Sequence, residues 1–114
     1  MQPTEEQARE VGKRQSLFRE VNERIEELSE EFDLVDAMQI MCECGSGGCE
    51  ERIVLTEDQY EALRRVPTHF AVLPGHEIPE VERVVEHHEG FIVVEKTGES
   101  AIVAIRLDPR RPKQ

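Results

Sequence analysis

A seven-residue hydrophobic repeat marks the first part of the chain. From Thr4 to about Phe32 the sequence is rich in Glu, Arg and Gln and contains no proline, which favours one long helix. One position of the repeat holds Val11, Phe18, Ile25 and Phe32, and the other holds Val21, Leu28 and Val35, with Arg14 as an interruption. Two interpretations stay open: an amphipathic helix that lies on the protein's own core, or a helix that dimerises or docks on a partner.

Two short apolar runs predict a β-hairpin after that helix. A break at Asp33–Asp36 is followed by Ala37–Met41, and Arg52–Leu55 has the composition of a return strand. The loop of this hairpin carries the stretch from Cys44 to Cys49.

A second helix is expected directly after the hairpin. Thr56 is a suitable N-cap, and Gln59 three residues later completes a capping box. The helix runs from Glu57 to about Val66 and stops at Pro67, because a residue that precedes proline is disfavoured in the helical conformation.

The remaining elements are shorter. A strand is predicted at His69–Leu73 and another at Phe91–Glu95. Between them, Pro79 to His87 has valines at helical spacing, and Gly90 follows as a closing residue, so we expect a short helix. The segment from Glu99 to Leu107 has enough β-branched residues for a strand, but its pattern favours a helix.

These elements predict an α+β fold. It comprises a long N-terminal helix, a small and mainly antiparallel sheet with a cysteine-bearing hairpin, and two or three short helices. Residues 1–35 form the helix and residues 36–114 form a small zinc-stapled domain, the two together being one folding unit.

Composition narrows the possible functions. The 114 residues fit one domain, and a content of 38% hydrophobic and 4% aromatic residues predicts a small aliphatic core, for which a bound metal adds valuable folding free energy. The net charge of −11 disfavours nucleic acid and anionic lipid as partners.

The basic residues near the C-terminus are expected to form a solvated tail; they are Arg106, Arg110, Arg111 and Lys113.

The compartment is expected to be the cytoplasm. The sequence has no apolar run near the roughly 20 residues that span a membrane, and its first residues do not resemble a signal peptide. Thiols stay reduced in the cytoplasm, where clustered cysteines more often bind metal than form disulfides.

The three cysteines of the chain fall in one eight-residue window, with the spacing C-x-C-x4-C. In a strand, Cys42 and Cys44 project to the same face, and a turn through Gly45, Gly47 and Gly48 can return Cys49 to them. Thiolates at this density predict a zinc site.

A histidine is the expected fourth zinc ligand. His76 is favoured because it follows a Pro-Gly turn that can present its imidazole to the hairpin, and His69 at the start of a strand is the alternative. A water or a carboxylate, either Glu43 or Glu50, remains a further possibility. His87–His88 at the end of the predicted helix are assigned a role near the negative pole of the helix dipole.

The chain also resembles a family of small actinobacterial proteins. The resemblance extends from about Phe18 to Arg110 and is carried by Phe18–Ile25, the run C-E-C-G…C-x-E-R-I, Leu-Thr at 55–56, Tyr60-Glu-Ala62 and Pro74-Gly-His76. It implies a metal site and supports His76 over His69, but it implies no particular reaction.

Three thiolates and one histidine would close the coordination sphere of zinc and leave no position for a reactive water. The sequence also has no glycine-rich phosphate loop, H-E-x-x-H motif or nucleophilic serine elbow. We therefore expect a zinc-binding interaction or regulatory module with a structural site at Cys42, Cys44, Cys49 and His76, whose partner is another protein or a second copy. The alternatives are a thiol or metal redox sensor and, less favoured, a zinc-dependent hydrolase.

Overall fold

The computed structural model describes residues 4–31, 37–44 and 49–110, and these residues adopt the predicted α+β fold. They form three helices and five strands. In chain order the elements are α1 (Glu5–Glu31), β1 (Met38–Met41), β2 (Arg52–Leu55), α2 (Glu57–Arg64), β3 (His69–Val72), β4 (Glu82–His88), β5 (Phe91–Lys96) and α3 (Gly98–Arg106). No helix within the described residues is both long and apolar enough to cross a membrane.

The strands form two antiparallel sheets that share one core. The predicted hairpin is confirmed: β1 pairs with β2, with Met38 opposite Leu55. The other sheet has the strand order β3-β5-β4. Alternate side chains of β1 and β2 and consecutive side chains of β3 and β5 are buried in one cluster, which also includes Tyr60 of α2.

Glu43 connects the two sheets. Its backbone N–H donates to the carbonyl of Ala71 at 2.9 Å, and the N–H of Ala71 donates to the Glu43 carboxylate at 2.9 Å. Since β3 is an edge strand, these bonds place the end of the cysteine-bearing hairpin along its outer edge.

The predicted start of α2 is confirmed. Thr56 accepts from the backbone N–H of Gln59, and the Gln59 side chain accepts from the N–H of Thr56, which completes the capping box. The helix places Tyr60 and Leu63 in the core and ends at Arg64, shortly before the proline.

The helix predicted from Pro79 to His87 is wrong. Residues 82–88 form β4, which pairs with β5 through a two-residue turn whose Gly90 has a φ of +87°. The valine spacing suggested a helix because the strand contains a bulge between Val84 and Glu86, which breaks the two-residue alternation of a regular strand. His87–His88 therefore lie in a strand and have no role at a helix end.

The last predicted helix is confirmed as α3, and it packs against α1. The approach is close at Gly12, where an added Cβ would lie 3.1 Å from the Cβ of Val103. Arg9 of α1 forms an ion pair with Glu99 of α3 at 3.6 Å.

The solvated tail expected near the C-terminus is wrong for Arg110. Its guanidinium forms ion pairs with Glu23 of α1 and Glu61 of α2, and it donates a hydrogen bond to the carboxyl group of Glu26 at 2.9 Å. The C-terminal segment therefore ties α3 to both other helices as far as Arg110, and residues 111–114 lie outside the described part of the chain.

The buried face of α1 is unexpectedly polar. It comprises Ala8, Gly12, Gln15, Ser16, Arg19, Asn22, Glu26 and Ser29. The predicted hydrophobic repeat lies to one side of this face: Val11, Phe18 and Ile25 are half-buried, whereas Val21 is 39% exposed. Phe32 and Val35 of that repeat lie outside the described residues.

Candidate metal centre

Four side chains of the types that bind metal ions converge where β1 ends. One ligand atom each from Cys42, Cys44, Cys49 and His76 lies within 4.8 Å of all the others. The first two cysteines are buried, and the other two residues are half-buried. The alternative ligand His69 is elsewhere, because its Nε2 lies 3.2 Å from the carboxylate of Glu95.

The distances fit a tetrahedral ion. Zinc bonds to sulfur and nitrogen at tetrahedral angles place the two ligand atoms about 3.6 Å apart. His76 Nδ1 lies 3.7 Å from Cys42 Sγ and 3.6 Å from Cys49 Sγ. The imidazole therefore presents Nδ1 to the thiols at the separation that one shared cation requires.

Strand geometry explains why Cys42 and Cys44 act together. The hairpin pairing continues past β1, since the N–H of Cys42 donates to the carbonyl of Glu51 at 3.0 Å. In an extended backbone, side chains two residues apart project to the same face, so both thiols point toward His76. The glycine turn that was predicted to return Cys49 lies outside the described residues.

A tight turn after β3 presents His76. The N–H of His76 donates to the carbonyl of Leu73 at 2.9 Å, and Gly75 adopts a φ of +89° at the third position of the turn. Proline at the second position and glycine at the third are the residues that a type II turn prefers. The N–H of Leu73 also donates to Cys42 Sγ at 3.3 Å, so the same turn contributes a hydrogen bond to a ligand sulfur.

The buried thiol of Cys42 retains its proton unless a cation replaces it. Burial raises the pKa of Cys42 well above its usual range, and the neighbouring Cys44 and Cys49 add to this effect, while the N–H of Leu73 opposes it. Metal binding at such a site releases protons, because the metal-bound form of cysteine is the thiolate.

Glu43 is not one of the converging ligands. It projects to the opposite side of the backbone from the two cysteines that flank it and is fully buried. Its carboxylate accepts from Arg19 Nε at 2.7 Å, Arg19 Nη2 at 3.0 Å and Asn22 Nδ2 at 3.0 Å, in addition to the N–H of Ala71. Glu50, the other carboxylate considered as a ligand, is exposed and lies outside the converging set.

Arg19 keeps its charge in this buried position. Burial opposes the charged form, yet the pKa of Arg19 is raised because the Glu43 carboxylate beside it favours the guanidinium ion. The guanidinium also stacks on Phe70 at 4.0 Å from the ring centre and donates to the carbonyl of His69.

Two further residues of α1 contact the cysteine-bearing segment. Asn22 accepts from the N–H of Met41 at 2.8 Å and donates to its carbonyl at 3.0 Å, as a neighbouring strand would do. Gln15 donates to the carbonyl of Cys44 at 3.4 Å and to the carboxylate of Glu82 at 3.2 Å.

Sequence reasoning missed the polar residues of α1 that surround the site. Gln15, Arg19 and Asn22 have helical spacing, and this spacing was the signal that could have identified them. The hydrophobic repeat on the adjacent side of the helix obscured that signal, since it predicted a different buried face.

The geometry thus assembles the four residues that the sequence singled out, and it adds a second layer of contacts from α1. No family model, curated protein or solved structure matches the chain.

Proposed function

We propose that this chain is a small zinc-binding module that acts by binding another protein or a second copy of itself. In this proposal Cys42, Cys44, Cys49 and His76 hold one structural zinc ion. The observation that carries it is the convergence of four ligand atoms within 4.8 Å, at separations that suit a tetrahedral cation.

The donor set favours zinc over the common hard cations. Thiolate and imidazole are soft or borderline ligands, whereas magnesium and calcium take oxygen ligands. The tight grouping also favours one ion over an iron–sulfur cluster, because the ligands of a cluster are separated by several metal and sulfide atoms.

A structural role suits the site better than a catalytic one. Four protein ligands complete the tetrahedron, so no position is left for the water that a zinc hydrolase activates. The carboxylate of Glu43, which lies between two of the proposed ligands, accepts three hydrogen bonds from α1 and one from the backbone N–H of Ala71, so it is unsuited to act as a general base at the metal.

The exposed side of α1 supports the proposed interaction. Leu17 is 58% exposed and Val21 is 39% exposed, and they adjoin the half-buried Phe18 and Ile25. Apolar side chains at helical spacing gain free energy when they pack on another apolar surface. A seven-residue repeat is typical of helices that pair with a copy of themselves, so self-association is the first case to test.

Zinc content tests the metal site. We expect freshly purified protein to contain about one zinc per chain, as a closed Cys3His site predicts, and the Cys44→Ser variant to contain much less. Glu50→Gln is the control, since it alters an exposed residue beside Cys49 and should leave the zinc content unchanged. Less than half an equivalent in the wild-type protein would overturn the proposal, and a disulfide found in its place would favour the redox-sensor alternative.

Light scattering tests the interaction surface. We expect a dimer that the double variant Leu17→Glu and Val21→Glu converts to a monomer without loss of zinc or helix content. Ile102→Glu is the matched control, because Ile102 is also exposed but lies on α3. A wild-type monomer would exclude self-association and leave a different protein as the partner, whereas equal dissociation by the control variant would contradict the assignment to α1.

A further inference from the structure

Residues 41–44 lie between the candidate metal position and the polar face of α1, and they contact both. Cys42 and Cys44 face the candidate metal position, while the alternating residues Met41 and Glu43 are held by α1. The conformation of residues 41–44 therefore determines two things together, the spacing of two ligand sulfurs and the fit of the helix.

The packing of α1 on the sheets depends on the conformation of residues 41–44, because polar side chains of the helix are buried against them. Gln15, Arg19 and Asn22 are nearly inaccessible to solvent, so the centre of the buried face holds one charged and two amide side chains. A buried ion pair is favourable only with good geometry and with its remaining hydrogen bonds satisfied. Arg19 pairs with the Glu43 carboxylate through two hydrogen bonds and also donates to the carbonyl of His69. Asn22 bonds to the backbone of Met41, and Gln15 donates through Nε2 to the carbonyl of Cys44.

We propose that Gln15, Arg19 and Asn22 are positioning residues of the metal site, and that zinc binding and the docking of α1 are thermodynamically coupled. This inference rests on the zinc site proposed above. The metal holds residues 41–44 in the shape that α1 recognises, and α1 holds them in the shape that the metal requires. By linkage, whatever factor the docked helix adds to metal affinity, the metal adds to helix docking.

Metal affinity provides the first test. In the full chain, Arg19→Met removes the guanidinium and retains an apolar stem, and we expect it to weaken zinc binding about 10-fold or more, as loss of outer contacts to a metal site does. Affinity is measured by competition with a chromophoric chelator. Arg24→Met is the matched control, because Arg24 lies on the exposed side of the same helix and pairs with Glu27.

Cobalt substitution separates positioning from simple destabilisation. The visible absorption of bound Co²⁺ reports the geometry of its thiolate ligands, and we expect Arg19→Met to shift these bands while Arg24→Met leaves them unchanged. If Arg19→Met fails to fold, Asn22→Ala removes the contacts to Met41 without leaving a buried charge unpaired, and the same two measurements apply.

Hydrogen exchange of the wild-type protein tests the reciprocal effect. We expect chelation of zinc to accelerate amide exchange in residues 15–26 and 37–44, while the sheet formed by β3, β5 and β4 keeps its protection. Unchanged exchange in α1 would overturn the coupling. Loss of protection throughout the chain would overturn it as well, since the metal would then hold the whole fold rather than this contact.

The outcomes distinguish this inference from the proposed function. A wild-type protein that binds no zinc defeats both. A wild-type protein that binds zinc, with an equal affinity and an unchanged cobalt spectrum in the Arg19→Met and Asn22→Ala variants, defeats the coupling and leaves the zinc site intact.

Discussion

His76 owes its place in the cluster to the backbone of the residues that precede it. Gly75 has a φ of +89°, and the turn that it permits connects the end of β3 to the imidazole. A conformation with positive φ is strained for residues that carry a Cβ. Gly75 therefore influences both the conformational strain of this turn and the position of the His76 imidazole.

Gly75→Ala should reduce the stability of the fold and weaken zinc binding. The new Cβ would enter open space, so the cost is backbone strain of about 1–2 kcal/mol. Gly90→Ala is a close control, with a φ of +87° and equally open space in the turn between β4 and β5. Urea unfolding should show similar losses for both variants, and chelator competition should show weaker zinc binding for Gly75→Ala; equal affinities would contradict the role given to the turn.

A carboxyl group on α1 should make stability depend on pH. Burial, together with the hydrogen bond and charge of Glu61, raises the pKa of Glu26 from 4.5 to about 8, although Arg110 opposes the shift. The folded state therefore binds this proton more tightly than the unfolded chain does. The resulting stabilisation is complete below about pH 4.5 and is lost as the pH rises through about 8.

Glu26→Gln should remove that loss, because the amide stays neutral throughout this range. We expect the melting temperature of the variant to fall less than that of the wild type between pH 5 and pH 8, where the titration of Glu26 operates. Glu27→Gln is the control, since Glu27 is exposed and its pairing with Arg24 lies at the surface. Identical pH profiles for Glu26→Gln and the wild type would contradict the assignment.

At the scale of residues, the sequence predicted the four side chains that converge at the candidate metal centre but not the residues around them. Cys42, Cys44 and Cys49 are close in the chain, and His76 follows a recognisable Pro-Gly turn. The pairing of Arg19 with Glu43 spans 24 residues and has no local signal, so it became apparent when the tertiary structure was known.

At the scale of elements, the helices follow local rules more closely than one of the strands does. The capping box at Thr56 and the uninterrupted helix-forming sequence of α1 were sufficient to predict α2 and α1. β4 was mistaken for a helix because its bulge disrupts the alternation of side chains, and because its pairing with β5 is a tertiary preference that periodicity does not reveal. The orientation of α1 was also unpredictable, since its buried face is chosen by polar partners.

The contact between α1 and α3 should be sensitive to one added methyl group. Gly12→Ala gains about 1 kcal/mol of helix propensity, but overpacking against Val103 costs about 1–3 kcal/mol. The contact is with the Cβ and Cγ1 of Val103 at 3.1 Å, which lie close to the backbone of α3 and have little freedom to move. We expect a net loss of about 1 kcal/mol in urea unfolding.

Removing the opposing methyl groups should reverse the sign. In a Val103→Ala background, Gly12→Ala should stabilise the protein, because the helix propensity is gained without the clash. A loss of similar size in both backgrounds would show that the close approach is not the cause.

At the scale of the whole molecule, a metal ion would join parts of the fold that are distant in the chain. The ligands come from the end of β1, from the residues that precede β2, and from the turn after β3. A chain with 38% hydrophobic residues and 4% aromatic residues has a limited core, so such a connection contributes more than it would in a larger protein.

The melting temperature should therefore rise with free zinc. If zinc binds the folded state alone, the free energy of unfolding increases by about 1.4 kcal/mol for each tenfold increase in free zinc above the dissociation constant. Magnesium at the same concentrations should have no such effect, because it prefers oxygen ligands. A melting temperature that does not change with the concentration of buffered zinc would show that a metal ion does not connect the end of β1, the residues before β2 and the turn after β3.

The hydrogen bonds between Glu43 and Ala71 have a consequence for solubility. An uncovered edge strand invites pairing with strands of other molecules and so promotes aggregation. β3 is an apolar strand with Phe70 and Val72 in the core, and Glu43 bonds to the backbone groups of Ala71 that an incoming strand would use. If the cysteine-bearing segment left this position, the outer edge of β3 would be exposed, so we expect the contact between Glu43 and Ala71 to protect the protein from aggregation.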